Sequence, residues 1–501
     1  MAGTDHRPSP ARRAQTALWL GAAALMLPAT ASAQTDTPKK TTRAAPPAPE
    51  QLLPPSMRTA TPRPVSTPVP RATPAAKPTP VPSASPTPVP APYLDAQPLA
   101  PATQTRTVTT IVPAEAPVRP WTVADAQALL ATIKGIDAEG LIPADYKPQD
   151  LAAAIAAGAG PALDDTASRA FDWLAEDLRD GRTPMDSRIQ WFAVDTDVDV
   201  NPTHDLLDRA LSTHDVPGVL ASLAPTYQDY AALKDALAAT PRADRATRDL
   251  IRINMERWRW LPRDLGAVYL ITNVPEYMLR FTVGGKILRT YKTVVGKPGR
   301  TATPQLAEKI EAVVFNPTWT VPQSIIKNEN LGAKLMAHPR AGYKVTRSES
   351  GTYTVVQQPG DNNSLGRMKI DMPNPHAIYL HDTPAKALFN TTDRAYSHGC
   401  IRTENALKLG MTIALMRNDI TPEEGNELFH SLKYKRVVLK EATPVYITYT
   451  TMGLNVDGQM TTYKDIYTRD APVVASLHAP RALHTTQRTS TQEVIVAQDP
   501  L

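Results

Sequence analysis

A proline-rich segment near the N-terminus limits where this chain of 501 residues can fold. Residues 34–118 contain nearly half of its 50 prolines, among many Thr, Ala, Ser and Val residues. Proline favours extended polyproline II, and so few large apolar side chains cannot offset the entropy lost on ordering the segment. The sequence therefore predicts a disordered linker over 34–118, with the folded domains after it.

The residues ahead of the linker have the pattern of an export signal. Arg12 and Arg13 precede an apolar run over 17–27, and Ala-Ser-Ala at 31–33 forms a small-x-small cleavage site. A run of this length is too short to span a bilayer, which takes about 20 residues in a helix. We interpret 1–33 as a signal peptide, so that the mature chain is expected to have no transmembrane span.

The net charge of +5 does not indicate a nucleic-acid-binding protein. The first 118 residues account for all of the excess positive charge, and the part expected to fold is near neutral. The single cysteine excludes an intrachain disulfide and any site with several thiolate ligands. The folded domains must therefore be stabilised by their hydrophobic cores.

Helical periodicity begins at Trp121 and predicts a helical domain over 119–262. Thr122 is placed to cap the first helix. Helices are predicted over 122–135, 167–180, 206–211, 231–237 and 243–260. Nothing in this domain has the pattern of a catalytic site, so its aromatic side chains are expected to form core.

After Pro262 the apolar pattern becomes extended and predicts a mainly β domain over 263–470. Gly284-Gly285 has the composition of a hairpin turn between two strands. The predicted strands cover 268–274, 277–283, 287–295, 310–315, 353–356, 368–370, 377–380, 437–439 and 445–450. The fold class is therefore α+β, a helical scaffold domain followed by a mainly β domain. The tail over 471–501 lacks periodicity and is expected to be mobile.

The only thiol lies in the run Ser-His-Gly-Cys-Ile-Arg at 397–402. A helix is predicted to begin near Thr403, so Cys400 should lie just ahead of a helix N-terminus. The positive end of the helix dipole and the nearby Arg402 both favour a thiolate. Cys400 is therefore predicted to be a nucleophile.

A nucleophilic thiol needs a base, and His381 is the better placed of two histidines. It follows the strand predicted over 377–380, and a strand end can hold a base rigidly while exposing it to substrate. The role of His398 cannot be judged from its position alone. Gly399 permits unusual backbone angles, and the amides of Gly399 and Cys400 are predicted to face an oxyanion. These residues indicate cysteine acyl transfer, with an inert core cysteine beside two surface histidines as the alternative.

The run His381-Asp382-Thr383, followed after about sixteen residues by Ser-His-Gly-Cys at 397–400, resembles the signature of the L,D-transpeptidase catalytic domain family, the YkuD type. The resemblance covers roughly 265–440. Phe-Asn-Pro-Thr-Trp-Thr-Val-Pro at 315–322 and Ile-Tyr-Leu-His-Asp-Thr-Pro at 378–384 are more narrowly similar to the large YcbB-like periplasmic branch. That branch also has a helical scaffold region ahead of its catalytic domain.

The resemblance implies a periplasmic enzyme that needs no cofactor and no metal. Cys400 would attack the third residue of a peptidoglycan tetrapeptide stem, usually meso-diaminopimelate, and expel the terminal D-Ala. His381 would take the thiol proton, and His398 would shape the pocket or polarise the thiol. The amides of Gly399 and Cys400 would hold the oxyanion. The amine of a neighbouring stem would then resolve the thioester and form a 3-3 cross-link.

Further residues are expected to contact the substrate. Arg402 stands where the family often has Asn, and its guanidinium is expected to bind a substrate carboxylate. The predicted substrate contacts are Arg402, Ser397, Tyr379, Asn316 and Trp319. The polar, Gly-containing segment over 322–363 is interpreted as either a lid or a passive long loop. The sequence contains no convincing peptidoglycan-binding repeat.

Several alternatives remain open at this stage. A lysine of an outer-membrane protein could resolve the same thioester and anchor that protein, and water would make the enzyme a hydrolase. Other cell-wall enzymes are possible partners. A different class is a non-catalytic cell-wall-binding spacer that works through its proline-rich segment. Zinc could also bind His381, His398 and Cys400, although the resemblance assigns no role to a metal.

Overall fold

The computed structural model describes residues 120–194, 197–416, 419–481 and 488–493. The signal peptide and linker predicted over 1–118 lie outside the described residues and stay predictions. Within the described ranges, no helix combines the length and apolar character needed to cross a bilayer.

The first part of the described chain is a helical domain, as the sequence predicts. Its α-helices are α1 (Val123–Gly135), α2 (Pro148–Ala157), α3 (Pro161–Asp180), α4 (Asp197–Val200), α5 (Thr203–Thr213), α6 (Val216–Ala221), α7 (Gln228–Ala239) and α8 (Arg245–Arg259). The Thr122 side chain accepts the Asp125 N–H and caps α1 as expected. Helix α3 begins six residues before its predicted start, because Pro161 occupies its first turn, where a missing N–H has no cost.

The core of this domain is built around aromatic and aliphatic side chains of α1 and α3. Trp121 packs edge-on against Phe171, with ring centroids 6.2 Å apart. Leu174 and Leu178 continue the apolar face of α3 and are buried with them. The expectation that these aromatic residues form core rather than a ligand site is confirmed.

The rest of the described chain is mainly β. Its strands are β1 (Val268–Asn273), β2 (Met278–Val283), β3 (Lys286–Gly296), β4 (Leu306–Phe315), β5 (Trp319–Thr320), β6 (Tyr343–Arg347), β7 (Tyr353–Gln357), β8 (Met368–Asp371), β9 (Leu380–His381), β10 (Ala395–Ser397), β11 (Ile401–Thr403), β12 (Lys435–Thr448), β13 (Met452–Leu454) and β14 (Met460–Thr462). Its helices are α9 (Gln323–Asn328), α10 (Leu331–Ala337), α11 (Ala406–Met416), α12 (Pro422–His430) and α13 (Asp470–His478). The predicted fold class is confirmed for the described residues.

Nine strands form one sheet in the order β10-β3-β11-β9-β8-β4-β12-β1-β2, and a further pairing of β2 with β3 closes it on itself. The enclosed face carries a continuous core that includes Phe281, Phe315, Ile370, Leu380 and Ile401. The hairpin predicted at Gly284-Gly285 is present, and both glycines have positive φ, as a two-residue turn of type I′ requires. This closed sheet is the rigid frame on which the motif residues lie.

The strand predicted over 377–380 is shorter in the structure and begins only at Leu380. The Asn374 side chain accepts the backbone N–H groups of His376 and Ile378 and donates to the Ile378 carbonyl. Ala377 has a left-handed φ of 53°. These side-chain bonds replace the ladder bonds of a strand, so the apolar run turns before it pairs.

The segment interpreted as a lid or a loop is a small folded unit. Strands β5, β7 and β6 form a three-stranded sheet, and α9 and α10 pack on it. Its own core contains Val321, Ile326, Leu331, Leu335 and Val355. The expectation of a passive long loop is therefore wrong. Two helices of six and seven residues are too short to show a clear period in the sequence.

The expectation of a mobile tail is also wrong for the first residues after 470. Helix α13 buries Val473 and Leu477 in a core shared with Ile251 and Trp258 of α8. Two apolar residues four apart are too weak a pattern to predict a helix from sequence. Residues 482–487 and 494–501 of the predicted tail lie outside the described part of the chain.

Buried polar contacts join α8 to the end of the β domain. Arg257 forms an ion pair with Asp470 at 2.7 Å and donates to the Arg469 carbonyl. The Thr451 N–H donates to the Asn254 side chain at 2.8 Å. Breaking one member of such a network leaves a buried polar group without its partner, which is costly. The helical domain and the β domain are therefore fastened together along α8.

Replacing Leu477 by alanine should destabilise the protein, because the side chain is buried between α13 and α8. The expected loss is about 3 kcal/mol, which would lower the urea midpoint of unfolding. The matched control is Leu288→Ala, since Leu288 is 53% exposed on β3 and its loss should cost under about 0.5 kcal/mol. Equal midpoints for the two variants would show that α13 does not pack as described.

Candidate active site

The pairing of three short strands brings the predicted nucleophile and base beside the same cations. Strands β9 and β11 run parallel with Arg402 opposite His381, and β8 runs antiparallel with Lys369 opposite His381. Cys400 directly precedes β11 and Tyr379 directly precedes β9. The charges of Lys369 and Arg402 act on both His381 and Cys400, so the two side chains lie beside the same cations, whereas Leu380 and Ile401 are buried in the core.

His381 is buried at the end of β9 and held in one tautomer. Its Nδ1 lies 2.5 Å from the Asp382 carbonyl oxygen, which can only accept, so Nδ1 carries the proton. The Asp382 carboxylate accepts the Arg367 N–H and forms an ion pair with Lys386, which anchors this peptide. Nε2 is left with its lone pair, as a general base requires.

Burial lowers the pKa of His381 to about 3, and the positive charges of Arg402, Lys369 and Lys386 add to this effect. The imidazole is therefore neutral at pH 7. The edge of the Tyr379 ring meets it at a centroid distance of 5.6 Å. A neutral imidazole with a free Nε2 is ready to accept a proton.

Cys400 is half-buried, and its thiol donates to the Ala377 carbonyl at 3.6 Å. Burial raises the pKa of the Cys400 thiol, although hydrogen bonds from Tyr379 and the charges of Lys369 and Arg402 act in the opposite direction. The resting thiol is therefore protonated at neutral pH. Its proton must leave as the sulfur attacks a substrate.

The thiolate predicted from the sequence is corrected to a protonated thiol. Part of the physical reason is the position of the next helix. Strand β11 (Ile401–Thr403) follows Cys400 directly, and α11 begins only at Ala406. The dipole effect fades within the first turn of a helix. The thiol therefore gains little from the helix that the sequence placed beside it.

The motif turn, residues 397–400, pairs several of its polar groups with one another. Gly399 has a φ of 116°, a conformation that other residues rarely adopt. Its N–H donates to the Ser397 hydroxyl, which in turn donates to the Cys400 carbonyl at 2.5 Å. Ser397 is thus buried within the turn, so its predicted role as a substrate contact is a correction.

Only one of the two amides predicted to hold the oxyanion is available, because the Gly399 N–H donates to the Ser397 hydroxyl. The Cys400 N–H makes no hydrogen bond among the described residues and remains available to an oxyanion. The Gly399 carbonyl accepts a hydrogen bond from the Thr303 hydroxyl at 2.8 Å, and Thr303 is fully buried. Thr303 holds the turn from outside the motif, and no sequence signal distinguishes it from other loop threonines.

Positive charge surrounds the thiol and the base. Arg402 is half-buried, and its guanidinium forms neither a hydrogen bond nor an ion pair within the part of the chain that the structure describes. Lys369 lies 4.6 Å over the Tyr379 ring and pairs with Asp371 at 3.1 Å. Asp371 also pairs with Arg436 at 3.1 Å. Arg402 is therefore the cation left to bind an anion beside Cys400.

Sequence reasoning missed Lys369, Asp371 and Arg436. The available signal was the alternation of Met-Lys-Ile-Asp in β8, whose polar positions share the face of His381. The second motif histidine, His398, is half-buried. Burial, together with the charges of Lys297 and Arg402, lowers the pKa of His398 to about 4, so it too is neutral at pH 7.

Two further predicted substrate contacts lie elsewhere. Asn316 is fully buried, and its amide hydrogens go to the carbonyls of Leu428 and Lys433 while its oxygen accepts from Arg367. Its predicted contact with substrate is a correction, because these bonds hold the end of β4 against α12. Trp319 packs in the small folded unit of β5–β7, and its substrate contact stays a prediction.

The structure provides no ligand set for the zinc alternative. Among the residues that it describes, no three side chains of His, Cys, Asp or Glu are grouped so that they could hold a metal ion. His381, His398 and Cys400 therefore do not form the zinc site considered from the sequence.

The raised pKa of Cys400 predicts slow alkylation by iodoacetamide at pH 7 and a rate that still increases above pH 9, because the thiolate is the reactive form. The chain has one cysteine, so mass spectrometry of the intact protein follows this thiol alone. The control is the same protein unfolded in urea, which should react faster at pH 7. A plateau below pH 8 in the folded protein would indicate a resting thiolate instead.

Both the helical part and the β part of the chain are similar to known protein domains. Residues 267–447 match the family model described as the L,D-transpeptidase catalytic domain, and residues 120–237 match a scaffold domain. A protein of Haemophilus influenzae named "Putative L,D-transpeptidase" is 30% identical over 243 residues, which cover 44% of this chain and 48% of that protein. The chain thus matches about half the length of this relative.

Solved structures with local similarity include an L,D-transpeptidase from Mycobacterium smegmatis, at 15% identity and a TM-score of 0.19, covering 36% of this chain and 58% of that chain. L,D-transpeptidase 1 of Mycobacterium tuberculosis is similar at 14% identity and a TM-score of 0.16, covering 36% and 61%. The family assignment rests on the domain models and the motif. Cys400 and His381 both fall within the matched segment, and this chain therefore carries, over 267–447, a catalytic domain of the L,D-transpeptidase family behind a scaffold domain.

Proposed function

We propose that this protein is a peptidoglycan L,D-transpeptidase that forms 3-3 cross-links through a thioester on Cys400. The observation that carries the proposal is the parallel register of β9 and β11, which pairs Arg402 with His381 within the matched segment, two residues after Cys400. A single thiol, a neutral imidazole and an unpaired guanidinium together suit acyl transfer from a substrate that carries carboxylates.

In the acylation step, Nε2 of His381 takes the thiol proton as the Cys400 sulfur attacks the carbonyl of the third stem residue. The oxyanion that forms accepts a hydrogen bond from the Cys400 N–H. Collapse of this intermediate breaks the bond to the terminal D-Ala, whose amine leaves with the proton from His381. The product is a thioester between Cys400 and the shortened stem.

In the second step, the side-chain amine of a neighbouring stem attacks the thioester. His381 takes a proton from that amine and returns one to the departing sulfur, which restores the thiol. The new amide joins the third residues of two stems. His398, neutral and half-buried beside the motif, shapes the pocket around this exchange.

Arg402 is the residue that we propose to bind a carboxylate of the donor stem. Its guanidinium is half-buried beside the thiol, where a charge-assisted pair with a carboxylate is stronger than in water. Tyr379 lies beside the thiol and acts to lower the pKa of Cys400 against the larger effect of burial. The small unit of β5–β7, with Trp319, would cover the stem from the outside.

The location of the protein follows from the predicted N-terminal segments. We propose that 1–33 exports the chain to the periplasm and that 34–118 tethers the folded part within reach of the wall. The acceptor decides between cross-linking, anchoring of an outer-membrane protein and hydrolysis. Other cell-wall enzymes are proposed partners only through this shared substrate.

Incubation with a disaccharide tetrapeptide should increase the intact mass of the protein by the donor less D-Ala. Cys400→Ala should show no increase, because the thioester cannot form. His381→Gln should acylate about 100-fold more slowly, since it removes the general base. The matched control is His430→Gln, because His430 is exposed on α12 and should acylate normally.

The products separate the competing functions. A cross-linked dimer supports the proposed transpeptidase, whereas only tripeptide would indicate a hydrolase. An unchanged mass of the unmodified protein would contradict the proposal. If the Cys400→Ala variant then performed the cellular role of the natural protein, that result would indicate a non-catalytic spacer.

Arg402→Gln should raise KM for the donor about tenfold, because a charge-assisted hydrogen bond to the carboxylate is lost. It should also move the acid limb of kcat/KM to higher pH, since Arg402 lowers the pKa of His381 and its removal lets that pKa rise. Arg289→Gln, at an exposed position on β3, is the control and should change neither quantity. An unchanged KM for Arg402→Gln would refute the carboxylate assignment.

A further inference from the structure

A cleft of about 540 Å³ lies in the scaffold, outside the residues of the catalytic face. It is bounded by the end of α1, the connection from α7 to α8, the first turns of α8 and the end of α13. Its basic lining consists of Lys134, Arg242, Arg245, Arg248 and Arg252. A volume of this size suits a small ligand.

Two acidic residues line the same cleft, and both already have partners. Asp137 pairs with Arg242 at 3.1 Å, and Asp249 lies 2.8 Å from Nε2 of His478. Asp249 also forms an ion pair with Arg252, at 3.8 Å. The lining thus contains five permanent cations and two carboxylates, an excess of positive charge.

The remaining cations of the lining have no carboxylate partner among the residues that the structure describes. The side chains of Lys134 and Arg245 form no hydrogen bond or ion pair within the described ranges. Arg248 donates only to the backbone carbonyls of Leu237 and Thr240 at the end of α7. These three side chains therefore face the cleft without a carboxylate partner.

Arg252 shows the same imbalance at the base of the cleft. It is mostly buried, and its Nε is buried without a hydrogen-bond partner. Burial and the charge of Arg248 lower the pKa of Arg252. An anion in the cleft would relieve this repulsion between the two guanidinium groups.

We propose that this scaffold cleft binds a phosphate-bearing anion. The planar guanidinium forks of several arginines match phosphate oxygens in pairs. Three cations without a carboxylate partner match a ligand group with two or three negative charges better than they match a single carboxylate. The site is separate from the acyl-transfer chemistry, so the scaffold would hold an anionic ligand of its own.

The test is calorimetric titration of inorganic pyrophosphate into the full-length chain carrying Cys400→Ala, which keeps binding apart from catalysis. We expect saturable binding at one site. Arg245→Gln should weaken it about tenfold through the loss of a charged hydrogen-bond donor. Asp137→Asn should strengthen it, because it removes a negative charge from the lining.

The matched control is Arg209→Gln, since Arg209 is exposed on α5 and does not line the cleft. Absence of saturable binding, or equal weakening by Arg209→Gln and Arg245→Gln, would overturn the proposal. Citrate is the control ligand that carries carboxylates. Citrate binding as tight as pyrophosphate binding would overturn the proposed preference for phosphate. Thermal unfolding of each variant checks that the fold is kept.

Two sources could supply the phosphate, and vesicles distinguish them. Retention on phosphatidylcholine vesicles that contain phosphatidic acid, lost in Arg245→Gln, would assign the site to a lipid headgroup. Pyrophosphate binding without vesicle retention would assign it to a soluble phosphate ester. Either result supports the cleft as a phosphate site, and each is independent of whether Cys400 transfers acyl groups.

Discussion

The parallel pairing of β9 with β11 is the constraint on which the catalytic face depends. It sets Arg402 beside His381, and Cys400 directly precedes the paired residues of β11. A slip of one residue would turn the whole set toward the core, and Leu380 and Ile401 oppose such a slip because their burial fixes the register. The chemistry of the site is thus maintained by apolar side chains on the opposite face.

The motif turn depends in addition on residues far from it in sequence. The Thr303 hydroxyl holds the Gly399 carbonyl, and Arg469 donates to the Thr303 carbonyl. Arg257 of the scaffold helix α8 donates to the Arg469 carbonyl and pairs with Asp470. A continuous set of buried hydrogen bonds therefore leads from the scaffold to the catalytic turn. The scaffold and α13 act as supports for the nucleophile's backbone.

Local patterns predicted much of this molecule. The Gly284-Gly285 hairpin, the capped helix α1 and the thiol and histidine of the motif each depend on nearby residues, and the structure contains them. The failures involve interactions between distant segments. Asn316 resembled a motif residue, but its bonds go to carbonyls of α12 and the residues after it. Helix α13 could not be predicted from the sequence, because its two buried apolar residues are stabilised by packing against the distant helix α8.

The ionisation of the thiol shows the same limit most clearly. From sequence, proximity to a helix and to Arg402 favoured a thiolate, whereas the three-residue strand β11 separates the thiol from α11. Burial then decides, because it disfavours the charged form of both Cys400 and His381. The surrounding cations lower the pKa of Cys400 and so oppose the effect of burial on the thiol. They also lower the pKa of His381, which adds to the effect of burial on the imidazole. A neutral pair within a positive pocket is poised to develop negative charge only when a substrate carbonyl arrives, so the electrostatic field favours the oxyanion of the reaction over the resting ion pair.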